Sequence, residues 1–345
     1  MAKRSRTLRY KLLMIGVLIV VVGWTVGWFM IATVVDRHAE KAMQAAEKSG
    51  TVMDCVDRSV KGFPFRIEVR CAGGSRVGNA DTVLTVNGLT AAALIYKPSR
   101  LIVEAQGPVA LTTAGLPPVM ADWALAHASA RIALGGPALK RIDVEVKDGT
   151  LAIDGAAPIP FDELDINVRE NPAGNGDLDI AVALAELAPL PEVAPLTLVV
   201  QGRLADGAAL LSAPDVTLAA LAAEGFRFVV DTASAQNANG AIAASGELTL
   251  GADGLLNGTV DLALTGADLP LVNVLAPPQA QKTLATLLPN ILAFAPATTI
   301  GDRPAKKLTL TVKNNAVAVG VVPLFKLAPV NMNELPQALM AGKRR

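Results

Sequence analysis

The chain has 345 residues with 31 basic and 31 acidic side chains, so its formal net charge is zero. The charges are unevenly placed, because the first 35 residues carry five basic and no acidic groups, and the rest therefore carries a net charge of −5. The segment after residue 35 is mildly acidic and has no run of basic residues with interleaved aromatics, which is not typical of nucleic-acid-binding proteins, and we expect no nucleic-acid partner. Aromatic residues are only 4% of the chain, which favours an extended sheet with many small apolar contacts over a compact globule.

A long apolar run near the N-terminus predicts a membrane-spanning helix. Residues 12–35 carry no charged side chain and follow five basic residues, Lys3, Arg4, Arg6, Arg9 and Lys11. An α-helix of these 24 residues reaches about 36 Å, enough to cross a hydrocarbon core about 30 Å thick. Because basic flanks stay in the cytoplasm, residues 1–11 are predicted to be a cytoplasmic tail and the chain after Asp36 to be exported.

This helix is expected to be retained as an anchor. The alternative is a cleaved signal peptide, whose apolar region has about 7–15 residues and is followed by small residues at the cleavage site. The run here is longer, and Trp24, Trp28, Phe29 and Met30 occupy its outer half. We therefore expect a single-pass inner-membrane protein with a cytoplasmic N-terminus and a periplasmic C-terminal domain.

Gly23 and Gly27 form a GxxxG motif within the predicted span. Such a motif lets two helices approach closely, which makes these glycines a candidate helix–helix contact. Glycine is also common in spanning helices that do not associate, so both interpretations stay open.

Cys55 and Cys71 both fall on the predicted exported side. In an oxidising compartment this pair predicts a disulfide, and closing a loop of about 15 residues contributes roughly 3 kcal/mol in the chain-entropy model. Two separate buried thiols are the alternative. A metal site is less well supported, because the chain offers no further cysteine and only His38 and His127.

The exported segment, residues 51–345, is predicted to be rich in β-strands and to follow a juxtamembrane helix over residues 36–50. Phe65, Ile67 and Val69 alternate with charged residues, which is typical of a half-buried strand. Residues 123–130 are also predicted to be a strand, with a helix as the alternative because alanine favours helices. A strand from Leu101 is predicted to end at residues 106–108.

Pairs of turn residues recur between the apolar runs, and Asp-Gly and Asn-Gly are strong signals of β-hairpin turns. These pairs predict a succession of hairpins and therefore a long antiparallel meander. They are Asn87–Gly88, Asp148–Gly149, Asp206–Gly207, Asp253–Gly254, Asn257–Gly258 and Asn314–Asn315.

The predicted fold class is mostly β: an N-terminal transmembrane helix followed by an elongated antiparallel β-meander that forms a curved sheet or groove. Short helices are predicted at residues 216–223, 269–275 and 278–294, where the last two cover one end of the sheet. The exported domain has possible halves at residues 51–190 and 191–345.

No motif for catalysis is found in the chain, so we expect neither an enzyme nor a cofactor or metal. His127 lies in an alanine-rich strand and is predicted to be structural. Asp162, Glu163 and Asp165 form an acidic cluster, but their spacing is not that of a calcium loop. A solvated strand edge is the preferred interpretation of this cluster.

A distinctive pattern lies between the two cysteines. Gly62, Phe63, Pro64, Phe65, Arg66 and Arg70 belong to the run GFPFRIEVRC that ends at Cys71. With IYKP at residues 95–98 and LIVEAQGP at 101–108, it closely resembles the alphaproteobacterial envelope family catalogued as domain of unknown function 2125. The resemblance covers most of the chain after the anchor. It implies an anchored, exported, β-rich protein whose activity is not established, and it confers no catalytic residues.

The hairpin pattern is also similar to envelope proteins of the AsmA type, whose long sheets curl into apolar grooves that handle lipids. That similarity is one of fold alone. Several strands are apolar on both faces, among them residues 196–200 apart from Thr197, 260–264 apart from Asp261, and 317–322. Such strands need cover from helices, a second sheet or a ligand. We therefore expect a protein that binds or passes lipid or another amphiphile in envelope maintenance. The alternative is a non-lipid structural or adaptor protein of the cell envelope.

Overall fold

The structure is a computed structural model that describes residues 3–48, 51–79, 82–133, 138–188, 194–213, 216, 218–265 and 278–329. The helix predicted at residues 269–275 lies outside the described residues.

The N-terminal element is a single long helix, α1, which runs from Lys3 to Lys48. Its 46 residues extend about 69 Å, more than twice the thickness of a hydrocarbon core. The segment Leu8–Lys48 has a hydropathy of 2.4 in its apolar window, so α1 is long and apolar enough to span a membrane. This suggests a single-pass anchor. The limits of the tail, span and juxtamembrane segment remain predictions.

The rest of the described chain is dominated by antiparallel strands that form one open, curved sheet. The strands are β1 Val52–Cys55, β2 Arg58–Lys61, β3 Arg66–Cys71, β4 Ser75–Gly78, β5 Thr82–Leu94, β6 Lys97–Thr113, β7 Val119–Ile132, β8 Leu139–Ile153, β9 Ile159–Glu170, β10 Leu178–Leu187, β11 Leu196–Leu204, β12 Phe226–Gln236, β13 Ala241–Leu250, β14 Leu256–Thr265, β15 Ala297–Ile300, β16 Arg303–Lys313, β17 Ala316–Val319 and β18 Val322–Lys326. Three further helices are α2 Ala209–Ser212, α3 Leu218–Glu224 and α4 Pro278–Phe294.

Most of the sheet is a meander in which each strand pairs with the next one in the chain. Consecutive pairing runs from β5 to β14. It then continues through β16 to β17 and β18. At the other edge, β3 and β4 both pair with β5, and they extend the sheet to β2 and β1. The predicted curved β-meander is confirmed.

The two possible halves of the exported domain share this sheet. β10 ends before residue 190 and β11 begins after it, and the two strands pair from Leu178↔Leu204 to Leu187↔Leu196. The hydrogen-bonded ladder is therefore continuous across the expected boundary.

The predicted turns were right at two places and wrong at four. Asp253–Gly254 and Asn314–Asn315 lie between paired strands. Asn87–Gly88, Asp148–Gly149 and Asn257–Gly258 instead lie inside β5, β8 and β14. Asp206–Gly207 leads into α2, so no strand returns there. The strand from Leu101 likewise does not end at residues 106–108, because β6 continues to Thr113 with a shift of register.

Two further expectations are settled by the strand order. Residues 123–130 lie in β7, so the strand interpretation is confirmed over the helix. The acidic cluster at Asp162, Glu163 and Asp165 does not lie on an edge, since β9 pairs with both β8 and β10. That prediction was wrong because an acidic sequence does not reveal which strands lie at the margin of a sheet.

The buried residues form small separate clusters along the sheet. Helix α4 packs Leu288 against Leu264 and Leu308 at one end. A second cluster joins Ala126, Val146 and Phe161, and a third joins Leu196 and Ala235. A core of this kind is spread along the sheet, as the low aromatic content predicts.

Candidate functional site

One face of the sheet carries an uninterrupted row of apolar side chains. Residues paired directly across antiparallel strands point to the same face, so the register defines the row. It crosses thirteen strands and consists of Val60, Val69, Ala91, Val103, Ala128, Val144, Ile166, Val182, Val200, Ala233, Ala244, Leu262 and Leu308. At about 4.8 Å per strand, the row is roughly 58 Å long.

Two parallel rows widen this apolar face. One contains Ile67, Ala93, Leu101, Ala130, Ile142, Val168, Ile180, Gly202, Val230, Gly246, Val260 and Leu310. The other contains Ala126, Val146, Leu164, Leu184, Leu198, Ala235, Ile242 and Leu264. We call the surface formed by the three rows the apolar face.

The apolar face is accessible over much of its length. In the middle row Leu308 is buried, Val200 is 38% exposed and the other members are half-buried. Helix α4 covers the end near β14 and β16. The central part of the face is therefore open to a ligand of apolar character.

The opposite face of β6 to β9 is charged. One row there contains Glu104, His127, Glu145 and Asp165, and a second contains Arg100, Arg131, Arg141 and Arg169 and continues to Asp179 and Arg203. The prediction that strands are apolar on both faces is therefore correct only at some positions. Val199 and Ala263, for example, are apolar residues on the face opposite the apolar face. The sheet as a whole is amphipathic.

A shallow cleft of about 470 Å³ lies on this charged face. Arg141, Arg169 and Arg203 line it, and each forms an ion pair with a carboxylate. Asp143 raises the pKa of Arg141 by a hydrogen bond, and Asp231 does the same for Arg203. These arginines are thus already neutralised by carboxylates of the same face.

His127 has a specific partner that its sequence context did not reveal. Its Nε2 lies 3.0 Å from Oε2 of Glu145, and Nζ of Lys147 lies 2.5 Å from the other oxygen of that carboxylate. Across the described residues, no group of three or more His, Cys, Asp or Glu side chains could hold a metal ion. The arrangement is that of a cross-strand charge network.

The two cysteines form the predicted disulfide. Cys55 at the end of β1 is bonded to Cys71 at the end of β3, with the Cα atoms 5.0 Å apart. Cys71 is buried. The bond joins the short strand β1 to β3, which lies between β2 and β5 in the sheet.

The residues of the family pattern bring β3 against the helix. Gly62 to Phe65 form the turn between β2 and β3, and we call Gly62–Arg66 the aromatic turn. Nε1 of Trp24 donates to the Pro64 carbonyl and Nε1 of Trp28 donates to the Arg66 carbonyl, each at 2.9 Å.

Aromatic rings reinforce this contact. The Phe63 ring lies 5.6 Å from that of Trp28 and 6.3 Å from that of Phe29, and the Phe65 ring lies 6.3 Å from that of Trp24. Trp28 is only 5% exposed, which makes it one of the few buried residues of α1. The aromatic turn therefore packs on the part of α1 that is predicted to span the membrane.

A polar contact follows farther along the same helix. Arg58 in β2 donates from Nε to Asp36 at 2.8 Å and lies 3.5 Å from Glu40. The sequence pattern does not identify Arg58 as a contact residue.

Arg66 and Arg70 flank a buried carboxylate. Glu68, between them on β3, is 3% exposed and lies 3.1 Å from Arg66 and 2.5 Å from Arg70. The charged side of this strand is thus not simply solvated, because the arginine side chains neutralise Glu68. A buried carboxylate needs such partners.

Gly23 and Gly27 are next to the two tryptophans in sequence. A Cβ atom added at either glycine would meet no other atom within 4 Å. The surface beside them is open, and self-association through it remains a prediction.

A comparison of the chain with known protein families identifies the family to which it belongs. The family described as "Uncharacterized protein conserved in bacteria (DUF2125)" matches residues 28–328. The chain belongs to this family. The DUF2125 match begins at Trp28 and takes in the aromatic turn, the disulfide and most of the sheet. Neither the curated proteins nor the solved structures include one that matches the chain.

Sequence reasoning found the DUF2125 motif but not what its residues contact. Trp24 and Pro64 are 40 residues apart, and Trp28 and Arg66 are 38 apart. Trp24 and Trp28 lie inside the apolar run and not at its end at Val35, whereas tryptophan in a spanning helix usually lies at the membrane interface. That unusual position was the one sequence signal that these tryptophans contact another part of the protein.

Proposed function

We propose that this protein is a non-enzymatic periplasmic protein, anchored in the inner membrane, that binds or passes the acyl chains of lipids or another amphiphile along the apolar face. The observation that carries the proposal is the row of apolar residues from Val60 to Leu308, unbroken across thirteen strands and half-buried over most of its length.

The physical argument is one of surface area and position. Exposed apolar surface costs about 25 cal/mol per Å², so a continuous face of this length favours a bound apolar partner. An acyl chain suits a long, featureless row better than a compact ligand, which would need converging polar groups. The N-terminal helix is long and apolar enough to span a membrane, and a sheet anchored by it would lie beside a source of such chains, which supports the proposal.

Photocrosslinking from neighbouring positions of β10 tests the proposal. Val182 lies on the apolar face, whereas Ala181 lies on the opposite face, and both are half-buried. The photoreactive analogue p-benzoylphenylalanine is placed at either position of the full-length protein in its bacterial membrane. After irradiation, intact mass measurement is expected to show lipid adducts at position 182 and few at 181.

The comparison of positions 181 and 182 also defines the results that would contradict the proposal. Equal lipid adducts at both positions, or none at position 182 in a folded, disulfide-bonded protein, would contradict the proposal. Crosslinks from position 182 to another protein would favour the structural or adaptor function.

A further inference from the structure

The aromatic turn lies beside a part of α1 that is within the bilayer when the helix spans it. A spanning helix needs at least about 17 apolar residues. The apolar run starts at Leu12, directly after Lys11, so even the shortest such span ends at Trp28. Trp24 and Trp28 therefore both lie inside the span, on the side toward the sheet.

Four backbone carbonyls of the aromatic turn accept hydrogen bonds within the protein. Unpaired backbone groups are costly in hydrocarbon, and irregular segments are rare there for that reason. The carbonyls of Pro64 and Arg66 accept hydrogen bonds from the two indoles. Those of Gly62 and Phe65 accept from the amides of Arg66 and Ile95, at 3.1 and 3.0 Å.

The side chains around the turn are apolar and unusually exposed. Phe63 is 50% exposed and Phe65 is 60% exposed, although both are large aromatic residues. Tyr96, in the neighbouring turn between β5 and β6, is 71% exposed. Aromatic residues with one polar end are typical of the membrane–water interface.

Three cationic side chains lie on the strands that follow Tyr96 in the sheet. Lys97 and Arg100 follow Tyr96 on β6, and Arg131 pairs directly with Arg100 on β7. All three are exposed, and they have no ion-pair partner in the part of the chain that the structure describes. Like charges placed directly opposite are unfavourable unless an anion lies nearby.

We propose that the aromatic turn is a second membrane contact of this protein. Phe63 and Phe65 enter the hydrocarbon of the leaflet on the sheet side, and Tyr96 lies at the interface. Lys97, Arg100 and Arg131 lie at the level of anionic lipid headgroups. The occupant is the bilayer itself, because the turn is continuous with a helix that spans it. This inference does not depend on lipid binding by the apolar face.

The experiment uses the full-length protein in vesicles of phosphatidylethanolamine and phosphatidylglycerol. p-Benzoylphenylalanine replaces Phe65 in one preparation and Met120 in another. Met120 is 50% exposed and lies at the opposite end of β7 from Arg131, so it is a matched control for exposure. Irradiation is expected to give lipid adducts at position 65 in at least ten-fold excess over position 120.

A second measurement tests the headgroup contact. The analogue at position 96 is expected to capture phosphatidylglycerol above its share of the vesicle lipid, and R100E/R131E is expected to remove that excess while adducts at position 65 persist. Absence of adducts at position 65 in the folded, disulfide-bonded protein, or equal adducts at position 120, would overturn the inserted turn. A capture ratio that R100E/R131E does not change would overturn the headgroup contact.

Discussion

Two carboxylates that face each other across β8 and β9 have opposite electrostatic environments. The pKa of Asp165 is raised, because burial disfavours the carboxylate and Glu163 and Glu145 add negative charge. The pKa of Glu145 is lowered, chiefly because its carboxylate accepts a hydrogen bond from Lys147. Ionised Asp165 therefore destabilises the folded state, whereas ionised Glu145 stabilises it.

The substitutions Asp165→Asn and Glu145→Gln are expected to shift the melting temperature in opposite directions at neutral pH. Asp165→Asn raises it, since a raised carboxyl pKa costs stability above the ordinary pKa of aspartate. Glu145→Gln lowers it, since a lowered pKa contributes stability that is lost as the pH falls through the folded-state pKa. Thermal unfolding followed from neutral to acidic pH should show both differences shrinking. Shifts of the same sign at neutral pH would refute this assignment.

At the scale of elements, glycines explain where hairpin prediction failed. Gly149 lies inside β8, and a Cβ there would come within 2.0 Å of the Phe161 ring on β9. A Cβ at Gly88 would meet Gln106 at 2.6 Å, and one at Gly258 would meet the Glu247 carbonyl at 2.1 Å. These glycines permit close approach between neighbouring strands. A glycine needed for close approach cannot be distinguished in the sequence from a glycine needed for a tight turn, so the hairpin prediction failed at these positions.

Gly149→Ala is expected to destabilise the protein by about 1–3 kcal/mol, because the added methyl group forces the Phe161 ring out of place. Denaturant unfolding of the full-length protein measures this. Combining it with Phe161→Ala, which removes the obstructing ring, should cost clearly less than the sum of the two single changes. Strict additivity would show that Gly149 has another role.

The sequence predicted features that depend on residues close together in the chain, and it did not predict contacts between distant segments. Alternation around Ile67 and the spacing of Cys55 and Cys71 are local signals, and they gave a strand and a disulfide correctly. The ladder of apolar residues depends on register, which single strands do not specify. Contacts of Trp24 and Trp28 with the aromatic turn join segments about 40 residues apart and have no local signature.

At the scale of the whole molecule, the shared sheet has a consequence for folding. Since β10 and β11 pair across the expected boundary, separating the halves would expose two long strand edges. Hydrogen exchange in increasing denaturant, read by mass spectrometry, is expected to show β7–β8 and β13–β14 opening at the same midpoint. Two midpoints would indicate that residues 51–190 and 191–345 fold as separate domains.

The contacts of α1 also set its rotation about its own axis. The residues of α1 that contact the sheet are spaced at multiples of four along the helix. Trp24 and Trp28 lie inside the predicted span, and Asp36 and Glu40 lie beyond it. A helix turns by about 100° per residue, so one residue inserted after Ala32 would direct the tryptophans and the carboxylates to different sides. Because the sheet packs against α1 both inside and beyond the predicted span, a rotation or tilt of the span in a bilayer would move the sheet with it.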